Sequence, residues 1–224
     1  EGVEEVRRKF FGTLYNTYSF FALYANVDGF EYKEADVPVA ERPEIDRWIL
    51  SLLNTLVKEC TEHFENYEPT RAGRAIQDFV GENLSNWYVR LNRKRYWGGE
   101  YNADKISAYQ TLYTCLATVA KLMAPIAPFF ADQLYLDLNA ATGKETADSV
   151  HLAKFPICDD SLIDKNLEEC MQLAQQSSSM ILALRRKAEK KVRQPLQKAV
   201  IPAADDNTRE QLSYIADLIK TEVN

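Results

Sequence analysis

Two histidines, four cysteines and eight glycines are all that the 224 residues offer of the types that build metal centres, disulfide frames and phosphate loops. His63 and His151 stand far apart, so neither has a ligand partner at metal-site spacing. Cys60, Cys115, Cys158 and Cys170 are widely separated and form no Cys-x-x-Cys. They read as reduced thiols of a cytosolic protein, and no disulfide frame or zinc site is expected. No Gly-x-x-x-x-Gly-Lys or Gly-x-Gly-x-x-Gly occurs, and no serine has a plausible His/Asp set. The acid pairs Asp159-Asp160 and Asp205-Asp206 sit where helix N-termini welcome negative charge, so capping is their expected role. No stretch approaches the roughly 18 apolar residues of a membrane span. The acidic start, Glu1 to Glu5, has neither an initiator Met nor an apolar signal core, and reads as a cut inside a longer product.

What is present is an ordinary globular balance, 46% hydrophobic and 27% charged, with twelve Tyr, ten Phe and three Trp for an aromatic core. The net charge of −6 argues at first against a polyanionic partner. Its distribution argues the other way. Residues 85–97 hold four basic groups and no acid, and residues 185–198 hold seven basic groups with the single acid Glu189. An acidic body with two concentrated basic stretches can bind nucleic acid locally.

Apolar spacing predicts helices over 3–27 (Val6, Phe10, Leu14, Thr17, Phe21, Ala25) and over 44–64 (Ile45, Ile49, Leu52, Leu56, Cys60). A third, with Thr70 as N-cap, reaches Trp97 before Gly98-Gly99 stops it. A fourth starts after Asn102, and a fifth follows Pro125 and Pro128. A sixth spans 160–192 with an interruption at Ser177-Ser178-Ser179. Lys198 to Pro202 reads as a short strand whose partners would lie beyond Asn224, and a last helix covers 208–222. The fold class is therefore mainly α: a helical bundle over 1–148, a link over 149–159, and the truncated helix-strand-helix start of a small α/β unit over 160–224.

Winding the third helix at 100° per residue gathers Asn86, Arg90, Arg93, Lys94 and Trp97 within about 100°. Leu84, Trp87, Tyr88 and Leu91 lie opposite, and Arg95 falls on their side, where it would have to snorkel. The polar stripe offers cations for phosphates, a ring for stacking on a splayed base and an amide for a base edge. The competing reading is a solvated basic face with Trp97 closing the core. A second set, Arg186, Lys190 and Arg193, shares a side opposite Leu184 and reads as a phosphate grip or as ordinary charge at a helix end.

Five segments in order carry a family resemblance: Asn16-Thr17-Tyr18-Ser19-Phe20-Phe21, Asp46-Arg47-Trp48-Ile49-Leu50, Leu84-Ser85-Asn86-Trp87-Tyr88-Val89-Arg90, Ala124-Pro125-Ile126-Ala127-Pro128-Phe129 and Arg193-Gln194-Pro195-Leu196. The chain resembles the part of class I isoleucyl-tRNA synthetases that follows the catalytic domain; valyl, leucyl and methionyl enzymes share the bundle. The resemblance implies a cytoplasmic partner, isoleucine tRNA, gripped at its anticodon stem and loop, and a catalytic domain in the same chain. It implies ATP with magnesium for the whole enzyme. No cofactor is expected here, because signatures of the His-x-Gly-His and Lys-Met-Ser-Lys-Ser types are absent, as is the cysteine zinc site of some bacterial forms. The rival function is a helical scaffold or protein-docking module without RNA affinity.

Overall fold

The computed structural model describes residues 2–224, which are helical and contain no strand. They divide into two compact units, Glu1–Ile163 and Asp164–Asn224.

In the first unit, α1 is one rod built from an α-helix Gly2–Val6, a π turn Arg7–Phe11 and an α-helix Gly12–Asp28. Gly29 ends it in the left-handed conformation, φ 70°, which glycine adopts without a Cβ penalty. Phe10, Leu14, Thr17, Phe21 and Ala25 are its buried stripe. Helix α2 (Glu44–Glu65) buries Trp48, Ile49, Leu53, Leu56, Val57 and Cys60 at the same helical spacing. Each large apolar side chain so buried contributes roughly 1.5–3 kcal/mol. Helix α3 runs Pro69–Asp78, Phe79–Val89 and Arg90–Trp97, its middle section in wider π turns.

Helix α4 (Ala103–Met123) is the centre of the unit. It packs against α1, α2, α3 and α5 (Pro128–Thr142). Buried residues lie all around it, including Tyr109, Leu112, Leu116, Val119 and Leu122, the pattern of a helix enclosed on every side. Asn102 caps it as expected, its side-chain oxygen accepting from the Lys105 N–H at 3.0 Å. Aromatic rings fill the space between α1 and α4. Phe30 stacks on Tyr109 with centroids 4.9 Å apart, Phe21 meets both edge-on, and Tyr96 of α3 meets Tyr109 edge-on at 5.1 Å. Residues 149–159 belong to this unit: the Ser149 hydroxyl and the Val150 N–H both donate to Asp132 of α5.

The second unit packs α6 (Lys165–Lys187) against α7 (Asp206–Tyr214) and α8 (Ala216–Val223). Leu167, Met171, Ala174 and Ile181 are buried, as are Ile215, Ile219 and Val223. Asp164 and Asp205 cap α6 and α7 through the Leu167 and Thr208 N–H groups. Asp159 likewise accepts from Ser161, but at the head of a separate 3-10 turn, Asp160–Leu162.

Three expectations need correction here. The helix N-cap before α3 is Glu68, not Thr70, because Pro69 takes the first helical position, where its missing N–H costs nothing. Helix α6 passes through Ser177-Ser178-Ser179 unbroken, with Ser177 and Ser178 buried. Lys198 to Pro202 is irregular: with no neighbouring strand among the described residues there is no ladder to hold it, and Val200 lies exposed.

No cysteine is in a disulfide. Cys60 and Cys115 are buried in the first unit and Cys170 in the second, while Cys158 is half-buried. No helix of the described residues is long and apolar enough to cross a membrane.

Candidate nucleic-acid interface

The C-terminal half of α3 sorts its residues sharply between core and water. Leu84, Trp87, Tyr88 and Val89 are buried against the bundle, and Leu91 is half-buried. Asn86, Arg90, Arg93, Lys94 and Trp97 are all exposed, with 56% of Trp97 open to solvent. The stripe read from the sequence is thus brought together on one edge. It survives the π turns because Arg90 to Trp97 is regular α-helix, and only Asn86 depends on the wider winding before it.

Within this edge the cations differ in readiness. Arg93 and Lys94 make no hydrogen bond or ion pair among the described residues. Arg90 is folded back: its Nε donates to the Asn86 carbonyl at 2.6 Å, and its guanidinium lies 5.9 Å from the Trp87 ring centroid. Arg93 and Lys94 are therefore the charges most available to a phosphate, and Arg90 must first release its own contacts.

Arg95 does not snorkel. Its side chain is 14% exposed and its guanidinium grips Asp46 of α2 in a fork, Nη1 to Oδ1 at 2.7 Å and Nη2 to Oδ2 at 2.9 Å. Asp46 is completely buried and also accepts from the Tyr88 hydroxyl at 2.8 Å and the Ser107 hydroxyl of α4 at 2.6 Å. Burial opposes the charge on Arg95, but the hydrogen bonds and attraction to Asp46 outweigh it and raise its pKa. Burial, reinforced by the Tyr96 and Asp46 charges, pushes the Tyr88 phenol well above its ordinary range. The sequence held one signal for this pair: a guanidinium placed on an apolar helix face demands a buried carboxylate.

The second basic set is not a helix face. Helix α6 stops at Lys187 because Glu189 turns left-handed, φ 55°, with the Lys190 N–H donating to the Arg185 carbonyl and the Glu189 N–H to Arg186. These are the two bonds of a Schellman ending. Arg186 is exposed on the helix, whereas Lys190 and Arg193 lie beyond it in irregular chain, and Leu184 is itself 65% exposed. The side opposite Leu184 that was expected to join all three does not exist. Sequence reasoning also missed Arg185, which is buried and donates through Nη2 to the carbonyls of Lys191, Val192 and Gln194, holding this segment in place.

Residues 46–200, which include both basic stretches whole, match the model of a family described as the anticodon-binding domain of tRNA ligase. Over its full length the chain is 68% identical to the isoleucine–tRNA ligase of Bacteroides thetaiotaomicron and covers 19% of that protein. It is 64% identical to the isoleucine–tRNA ligase of Porphyromonas gingivalis, again over the whole chain and 19% of that protein. Against that of Dehalococcoides mccartyi it is 47% identical over 99% of the chain, covering 22% of the relative. The chain thus spans only a fifth or so of the length of these curated relatives. The family model spans more than half of the chain, and the chain belongs to the family of anticodon-binding domains of tRNA ligases.

Proposed function

We propose that this chain grips the anticodon stem and loop of isoleucine tRNA, as the RNA-binding part of a cytoplasmic isoleucine–tRNA ligase. The observation that carries this reading is the edge of α3, where Arg93 and Lys94 stand exposed without counter-ions beside the exposed ring of Trp97. The two cations would neutralise phosphates, Trp97 would stack on an unpaired base, and the Asn86 amide would meet a base edge. Arg90 joins by exchanging the Asn86 carbonyl for a phosphate oxygen. In the second unit, Arg186, Lys190 and Arg193 would form a smaller phosphate grip.

ATP, magnesium and the chemistry of isoleucine activation belong in this reading to a catalytic domain of the same enzyme. The work of the present residues is positioning. Contacts at the anticodon end hold the acceptor end in reach of a distant reaction, so binding energy far from the reacting atoms lowers the barrier.

The test is Arg93→Glu combined with Lys94→Glu, since each change removes an attraction and adds a repulsion. Affinity for an isoleucine tRNA transcript should fall more than tenfold, with melting temperature held because both side chains lie outside the core. Binding by the unaltered chain should follow salt with a slope of about −2 to −4 in log K against log concentration, the signature of three to five phosphate contacts. A flat titration together with an unaffected double variant would establish the rival, a docking module without RNA affinity.

A further inference from the structure

We propose that Arg95 is the positioning residue of this edge. Through Asp46 it fixes where the last turn of α3 presents Arg93, Lys94 and Trp97, and it touches no phosphate itself. The inference rests on the reading that the edge binds tRNA.

By composition Arg95 belongs to the basic cluster, next in sequence to Lys94. Its geometry withdraws it. A guanidinium has five N–H donors, and here each has an acceptor. Nε donates to Asp104 Oδ2 at 3.0 Å. Nη1 donates to Asp46 Oδ1 at 2.7 Å and to Asn92 Oδ1 at 3.0 Å. Nη2 donates to Asp46 Oδ2 at 2.9 Å and to the Asp104 carbonyl at 2.8 Å. Nothing is left over for a phosphate oxygen.

The charge count points the same way. One guanidinium faces two carboxylates, Asp46 and Asp104, so the cluster as a whole is anionic. Placed for attraction alone, an anionic cluster under an RNA-binding edge would be a defect. It makes sense as a joint. Asp46 and Asp104 stand in the first turns of α2 and α4, and Tyr88 and Ser107 complete the Asp46 shell from α3 and α4. Three helices therefore meet at one side chain in the final turn of α3. That turn ends at Gly98 in extended backbone, with no capping bond from the Gly98 N–H among the described residues. Besides Arg95, a polar tie on this turn comes from the Tyr96 hydroxyl, which donates to the Ala108 carbonyl at 2.9 Å.

The proposal makes a prediction of inverted sign. Asp46→Asn removes a negative charge close to the edge, so Coulomb attraction alone predicts tighter tRNA binding. Positioning predicts weaker binding, by about tenfold, the equivalent of re-ordering roughly one residue of backbone on association. Arg95→Lys keeps the charge but cannot hold the fork, and should weaken binding similarly. The experiment titrates the 224-residue chain and each variant with an isoleucine tRNA transcript over a salt series. Amide exchange of residues 93–97 and melting temperature are measured alongside. The expected result is lower affinity at every salt concentration, an unchanged salt slope, and faster exchange confined to the final turn. Binding by Asp46→Asn at or above the parent level overturns the proposal. So does a slope reduced by about 0.7–0.9 in Arg95→Gln, which removes the charge and would make Arg95 a phosphate contact. If Asp46→Asn does not fold, Asp104→Asn carries the same sign test from a half-exposed position, with an expected loss of about threefold. Failure of the underlying reading looks different: Arg93→Glu with Lys94→Glu would then bind tRNA as the parent does.

Discussion

At the scale of single residues, α3 carries two tryptophans with opposite fates. Trp87 is 8% exposed and packed into the bundle, while Trp97 is 56% exposed at the helix end. Trp87→Ala should cost about 3–5 kcal/mol of stability, so its melting temperature falls before any direct effect on RNA is seen. Trp97→Ala should melt like the parent and lose roughly 1–3 kcal/mol of tRNA affinity, the worth of one stacked base. Parallel melting curves and tRNA titrations separate the two, and equal melting losses would make Trp97 a core residue. The same helix shows where reading residues one at a time succeeds. Exposure of Arg90, Arg93 and Lys94 follows from angle, since at 100° per residue they stand about 80–180° around the helix from Leu84 and about 120–160° from Tyr88. Arg95 was harder, because its partner lies 49 residues earlier, in another helix. Angle puts it in the core, but only tertiary contact shows that it is anchored there.

At the scale of elements, helix interiors were legible and helix ends less so. The apolar spacing of α1 and α2 reports the core directly, and α4 could be bounded from Asn102 because an asparagine cap needs only its own helix. The end of α6 depends on Arg185 collecting the carbonyls of residues 191, 192 and 194, which no local pattern announces. The π turns of Phe79–Val89 are equally silent in a 100° projection. Lys198 to Pro202 has the composition of a strand, yet a strand exists only through a neighbour. The end of α2 offers a test of such termini. Tyr67 is held left-handed, φ 58°, by a Schellman ending in which the Glu68 N–H donates to the His63 carbonyl and the Tyr67 N–H to Phe64. Its side chain is 92% exposed. Tyr67→Gly should therefore stabilise the fold by about 0.5–1 kcal/mol, the left-handed penalty less the extra freedom glycine brings to the unfolded chain. The midpoint of denaturant unfolding would show it. A loss of stability would mean instead that the tyrosine ring makes a contact worth more than the strain.

For the molecule as a whole, the basic edge sits on a first unit built around α4, and Arg186, Lys190 and Arg193 belong to a second unit with its own small core. The placement of the four thiols makes these units separately readable by chemistry. Only a thiolate attacks an alkylating reagent. Burial raises the pKa of Cys60 to about 12 and lifts that of Cys115 as well, and both side chains are sealed from solvent. Cys158 is also raised, by partial desolvation and then by Asp160, but it alone lies within reach of a reagent. Native protein at mildly alkaline pH should therefore consume one equivalent of reagent quickly and three only as it opens. Cys60 and Cys115 then time the opening of the first unit, and Cys170 times that of the second. Because the smaller unit buries a smaller fraction of its surface, Cys170 should become reactive at the lower denaturant concentration. Mass spectrometry of the labelled peptides would show it, and simultaneous labelling of all three would mean that the chain opens as one. The cysteines that rule out a disulfide frame thus serve as an internal clock for the unfolding of each half.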